Sequence, residues 1–170
     1  TDLRTGEILS TKIGVPRDLA VSVRRNGVYQ MAEIDPRFRT YYIADEVICE
    51  NLTARMLKAF GLSLGLATNL AGSAAYSPEE LRSPEFTQKY GITASVMDNV
   101  LYNYLAQPGD KEKGVVLIVD KPGVCDAFTL KYLYAATSEN ESDMLKKWAM
   151  EHDGDPRYFY GKRSPAYATD

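Results

Sequence analysis

The chain has 170 residues, enough for one domain with a buried core, and its 45% apolar and 25% charged residues are an ordinary globular composition. A net charge of −3 excludes the strongly basic surface that nucleic-acid binding calls for. One histidine, His152, and two cysteines, Cys49 and Cys125, exclude a disulfide framework and any site that needs several imidazoles.

Two buried thiols are the reading for Cys49 and Cys125, with one disulfide as the alternative. The loose basic cluster Arg24, Arg25, Arg37 and Arg39 is interrupted by acids and reads as a solvated face. Twelve tyrosines, several in pairs such as Tyr41 and Tyr42, fit an amphipathic surface and equally a peptide or carbohydrate site. The chain opens on Thr1 without a visible signal sequence, and the segment 161–170 has the composition of a cut tail. Together these read as an excised part of a larger protein.

Residues 7–15 predict a strand, stopped by Pro16. Asp18 is placed to cap a short helix over 19–25, although Val21 and Val23 leave a strand open. Asn26-Gly27 is a turn signal, and 28–34 predicts a second strand ended by Asp35-Pro36. Residues 43–64 predict a long helix, with Asp45, Glu46 and Glu50 in its first turns. Ile48, Leu52, Met56 and Ala59 form one apolar stripe, and Thr53, Leu57, Phe60 and Leu64 a second. Gly65 ends it, because glycine accepts the left-handed cap conformation. No charge occurs between Ala59 and Tyr76, and Gly61 and Gly65 have a membrane-helix spacing. The glycines, Ser63, Thr68, Asn69 and Ser73 dilute that apolarity, so no membrane insertion is expected.

Ser77-Pro78 and Ser83-Pro84 each start a short helix. Residues 98–105 leave a helix open, and 115–119 is a short apolar run. A helix is predicted over 126–136 and another up to His152, capped by Ser142, with Leu145, Trp148 and Ala149 on its buried face.

The glycine that ends the long helix also fixes a spacing. In His-Glu-x-x-His-x-x-Gly-x-x-His, histidines four apart share a helix face, the glycine turns the chain, and the third histidine swings back to a metal. Laid on this sequence, Lys58 falls at the first histidine, Ala59 at the glutamate and Leu62 at the second histidine. Gly65 falls on the glycine and Thr68 on the third histidine. Gly65-Leu66-Ala67-Thr68-Asn69-Leu70-Ala71-Gly72-Ser73, Ser95-Val96-Met97-Asp98, and Asn103 to Asp110 continue the pattern, as does Asp2 to Leu9 upstream. In these motifs the chain resembles a family of large bacterial, secreted zinc-dependent metallopeptidases of metzincin type. Met97 would then lie in the family's Met-turn, and Asn99 replaces the tyrosine that follows it.

The resemblance implies an α+β, metzincin-like fold: a small mixed sheet packed on a long active-site helix, with a helical C-terminal part. It also implies zinc, a peptidase activity and a secreted, periplasmic or cell-surface location. The residues depart from that on function. Lys58 is cationic, Ala59 and Leu62 carry no lone pair, and Thr68 is a poor neutral-pH ligand, so no zinc or other cofactor is expected. Lys58 has three readings: a snorkelling lysine, an ammonium standing where the zinc charge stood and held by Thr68, Asn99 or Asp98, or an activated amine. Leu62 reads as core filling, Met97 as core, and Thr68 as a backbone hydrogen-bonder at the turn.

Ile8, Leu9, Ser10, Thr11 and Lys12 match the family's cleft-edge strand, which could hold an extended peptide by strand addition. The alternative is a plain edge guarded by Lys12 and Pro16. The expectation is an inactive, pseudopeptidase-type domain that binds peptide, protein or glycan. A purely structural module and a hydrolase with a non-standard site are the alternatives.

Overall fold

The computed structural model describes residues 2–136 and 140–161. The reading of 162–170 as a cut tail lies outside the described residues.

The first long element is a helix, α1 (Leu19–Met31), whose buried residues Leu19, Val23, Gly27 and Met31 recur every four positions. This row overrides both the turn signal at Asn26-Gly27 and the strand expected over 28–34. Gly27 sits inside the helix because a side chain there would overlap the Phe38 ring. A short 3-10 turn, Pro36–Arg39, follows and packs Phe38 into the core. Asp35 caps it and is fully buried between Arg37 and Lys111, at 2.8 and 2.6 Å. Burial pushes the Asp35 carboxyl up, but hydrogen bonds from Arg37 and Lys111 outweigh it and leave it below its usual range.

The central element is α2 (Asp45–Ser63), with Asp45 and Glu46 in its first turn. Its buried row is Val47, Asn51, Ala54 and Gly61 rather than either predicted apolar stripe. Asn51 is satisfied there, donating to the Val47 carbonyl and accepting from Tyr102 Oη at 2.6 Å. Burial raises the Tyr102 phenol to about 12, so it remains a donor.

Two short helices follow, α3 (Pro78–Leu81) and α4 (Pro84–Tyr90), each capped by the serine that precedes its proline. Ser77 and Glu80 close a full capping box. The segment 98–105, where the sequence leaves a helix open, forms none: it bends at 98–99 and turns at 104–105, and between them Tyr102 makes a single antiparallel bridge to Ile118. Asn103 N–H donates to Leu117 O and Val119 N–H to Leu101 O, on either side of that bridge. The last helices are α5 (Val124–Tyr134) and α6 (Glu141–Glu151). Asn140, not Ser142, stands at the N-cap of α6, and no α6 residue is buried, so the expected buried face of Leu145, Trp148 and Ala149 is not formed. His152 ends α6 and stacks on Tyr158 at 3.8 Å.

The fold expectation therefore needs correction. Among the described residues the structure is helical with no strand, so the α+β fold with a small mixed sheet is not formed. The reason is a missing partner. Residues 28–31, part of the second expected strand, belong to α1, and no backbone hydrogen bond joins 8–15 to other described residues. A lone extended segment cannot make a sheet. Cys49 is exposed and Cys125 buried, and both are free thiols, which corrects the expectation of two buried ones. No helix among the described residues is long and apolar enough to cross a membrane.

Candidate functional site: a helix end on a methionine turn

The C-terminal end of α2 closes in a Schellman arrangement. Leu66 N–H donates to Gly61 O at 3.0 Å and Gly65 N–H to Leu62 O at 3.1 Å, with Gly65 at φ +82°. The chain then turns under the helix, where Asn69 N–H reaches Met97 O at 3.2 Å. That contact, one residue past Thr68, ties the turn to residues 95–98. Thr68 itself is exposed. The Asn69 side chain is fully buried, accepting from Ala71 and Gly161 N–H and donating to Phe159 O.

Beneath the helix end lies Met97, 1% exposed. Its sulfur fills the space beside Gly61, where any side chain would overlap Sδ. The turn carrying Met97 is held from below by α5. Asp126 accepts from Ser95 Oγ at 2.6 Å, from Val96 N–H at 2.8 Å and from Gly123 N–H at 2.8 Å. Gly123 is confined against this turn, since a Cβ there would overlap the Ala94 carbonyl. On the other side, the Asp98 carboxylate accepts from Ser73 and Asn99 N–H, at 2.7 and 2.5 Å. Both carboxylates that hold this turn are thus partnered on each oxygen, as burial demands.

The helix and the turn are joined by Lys58. Its ammonium donates to Asp98 O at 3.0 Å and to Asn99 Oδ1 at 2.6 Å. The side chain is half-buried, and burial pulls its pKa below the usual value against the opposing pull of Asp98. Of the readings open in the sequence, the ammonium held by groups of the methionine turn is the one the structure forms.

Leu62 does not fill the core. It is 52% exposed and, with Ala59 and Ser63, lines an open groove of about 460 Å³ against residues 8–14. A Cβ at Gly65 would lie 3.6 Å from Ile8 Cδ1, which marks where that segment passes the helix end. The structure thus brings Ile8, Ser10, Thr11 and Lys12 to the helix that carries Ala59 and Leu62. Leu9 is 66% exposed and does not line the groove.

The side chains at the frame positions do not fit a zinc ion. Lys58 already acts as a hydrogen-bond donor, Ala59 and Leu62 offer no donor atoms, and Thr68 offers only a hydroxyl. Among the described residues no group of three His, Cys, Asp or Glu side chains is arranged to hold a metal.

A long helix closed by a glycine turn over a buried methionine turn defines a metallopeptidase-like domain. The chain belongs to the Met-zincin family, which matches residues 42–170. The match covers α2, the glycine turn and the methionine turn, and leaves α1 and residues 8–12 outside. Comparisons with curated proteins and with solved structures found no match.

Several residues that build the site carry little signal in the sequence. Asp126 and Gly123 lie about 30 residues from the turn they support, and only Gly123 beside Pro122 carries a local one. Gly61 is visible only as part of a small-residue pair. Arg55, one turn before Lys58 on α2, belongs to no motif.

Proposed function

We propose that this is a Met-zincin without zinc chemistry, a pseudopeptidase-type domain that binds an extended peptide and does not cleave it. The observation that carries this reading is Lys58. An ammonium bound to Asp98 O and Asn99 Oδ1 sets a fixed positive charge at the position of the frame's first metal ligand. A cation there repels a second cation, and the glutamate that would activate water is Ala59.

Peptide binding is supported by the groove beside Leu62. Ile8 and residues 10–14 line it, and the backbone groups of 8–15 have no backbone partner among the described residues. Such a segment can take a second chain by strand addition, with its free N–H and C=O groups supplying the ladder. A secreted, periplasmic or cell-surface setting is part of the same proposal and rests on the family resemblance alone.

The test is elemental analysis of the purified protein together with a protease assay with and without chelator. The expected result is substoichiometric zinc and no chelator-sensitive cleavage, with saturable binding of extended peptides. Stoichiometric zinc with chelator-sensitive cleavage overturns the reading. Neither cleavage nor peptide binding would leave a structural module in its place.

A further inference from the structure

A second cavity, of about 410 Å³, lies between α1, α2 and the segment after the methionine turn. Its volume is within the range of small-ligand pockets. Two cations line it, Arg55 and Lys58, three residues apart and therefore on one face of α2.

Neither cation makes an ion pair with a carboxylate among the described residues. Arg55 makes no ion pair or hydrogen bond among the described residues, and its buried Nε lacks an acceptor. Lys58 spends two of an ammonium's three donors on Asp98 O and Asn99 Oδ1, which leaves one N–H over. Asp98 is the one carboxylate lining the cavity, and backbone N–H groups of Ser73 and Asn99 take both its oxygens. Two cations against one anion leave a positive cavity. The Arg55 Nη groups have no acceptor among the described residues either and, unlike Nε, are not buried, so they are the donors that a ligand in the cavity can use.

The neutral lining adds donors and an apolar floor. Asn26 and Gln30 of α1 face the cavity, and Asn99 keeps its amide N–H₂ after its oxygen has accepted from Lys58. Val100, Leu101 and Val119 supply apolar wall. One planar fork, one point charge and amide donors beside an apolar wall suit a monoanion with a hydrocarbon body better than a phosphate dianion.

From this arrangement we propose that the Arg55–Lys58 cavity is a carboxylate-binding site. The carboxylate is that of a peptide, either its C-terminal group or an acidic side chain. The peptide source rests on the reading under Proposed function; the carboxylate chemistry does not. Consecutive residues of α2, Lys58 and Ala59, line the cavity and the groove respectively, so both openings lie along one helix.

The experiment is calorimetric titration of the full chain with N-acetyl-leucine, N-acetyl-leucinamide, the α-amide of N-acetyl-glutamate and inorganic phosphate. The acids are expected to bind at least tenfold more tightly than the leucinamide, and the tighter acid identifies the source of the carboxylate. Arg55→Gln is expected to weaken that binding at least tenfold and Arg55→Lys much less. Equal binding of acid and amide, no saturable binding of either acid, tighter binding of phosphate, or unchanged affinity in a folded Arg55→Gln chain overturns the assignment. If Arg55→Gln does not fold, the acid-to-amide contrast on the unaltered chain decides. Acetyl-leucine binding without binding of extended peptides keeps the cavity and sinks the peptide reading. Peptides that bind Arg55→Gln unchanged keep the peptide reading and overturn the peptide as the source of the cavity's carboxylate.

Discussion

The turn around Met97 and the helix face above it have been treated oppositely by this sequence. Residues 91–98 are all buried, and the turn's hydrogen bonds run to Asp126 and Ser73 from two directions. At the frame positions, Leu62 and Thr68 are exposed and Ala59 is only partly covered. The difference separates two demands that a metal site combines. The turn is kept because folding needs it: its backbone is buried and must be paired. The positions above it carry no such demand, so they are free of the donor atoms a metal would need. Lys58 is the exception, because it bonds to the turn itself.

The sharpest way to break this contrast is to strike the turn from below. Gly123→Ala drives a Cβ into the Ala94 carbonyl and the Ser95 nitrogen, both backbone atoms with nowhere to go. The expected loss is about 3 kcal/mol or more, read as a fall in the urea midpoint or as failure to fold. Retention of the native midpoint would mean the turn is not the rigid base described. Asp126→Asn comes next. The amide presents a donor to one of three hydrogen-bond donors, Ser95 Oγ, Val96 N–H or Gly123 N–H. About 2 kcal/mol should be lost, with the helical circular dichroism retained.

Lys58→Met removes the link between helix and turn while keeping the apolar stem. Losing bonds from a half-buried ammonium should cost about 1 kcal/mol at pH 7. The pH dependence has a definite sign. The folded pKa lies below the ordinary 10.5, so the folded chain binds fewer protons than the unfolded chain between the two values. This group therefore makes stability rise with pH through that window, and below it the charged form carries a constant penalty. The gap between the unfolding midpoints of the native chain and Lys58→Met should therefore change with that sign as pH rises from 7 to 10.5. Parallel curves would mean that burial does not bear on the ammonium.

Much of this is legible in the residues. The helix bounds around 43–64, the Gly65 cap and the serine-capped helices α3 and α4 follow from local rules, since caps and turns are written within a few positions. The sheet is misleading because a strand signal over 7–15 or 28–34 is a local pattern, whereas a strand exists only with a neighbour. In 28–31 the four-residue row ending at Met31 prevails, and its key member is a glycine, which hydrophobic patterning does not register. The buried row of α2 is hidden for a related reason. Asn51 and Gly61 look like breaks in an apolar stripe, yet each is matched to a distant side chain, Tyr102 and Met97. Lys58 is legible as a cation in a metal's place, and the short run 97–99 beside it in the family pattern supplies its partners. Arg55 is not legible, because an unpaired cation is recognised only by what surrounds it.

Leu62 gives the smallest effect and the cleanest discrimination. A leucine that filled the metal's volume from inside would lose about 2 to 5 kcal/mol on truncation. At 52% exposure on the groove wall it has little burial to lose, so Leu62→Ser should change stability by no more than about 0.5 kcal/mol. The same substitution removes apolar surface from the groove shared with Ile8 and Ile13. It should therefore weaken binding of extended peptides severalfold while leaving N-acetyl-leucine binding at Arg55 unchanged. A large stability loss would return Leu62 to the core and close the groove. A small loss with unchanged peptide affinity would leave the groove open and place the peptide elsewhere.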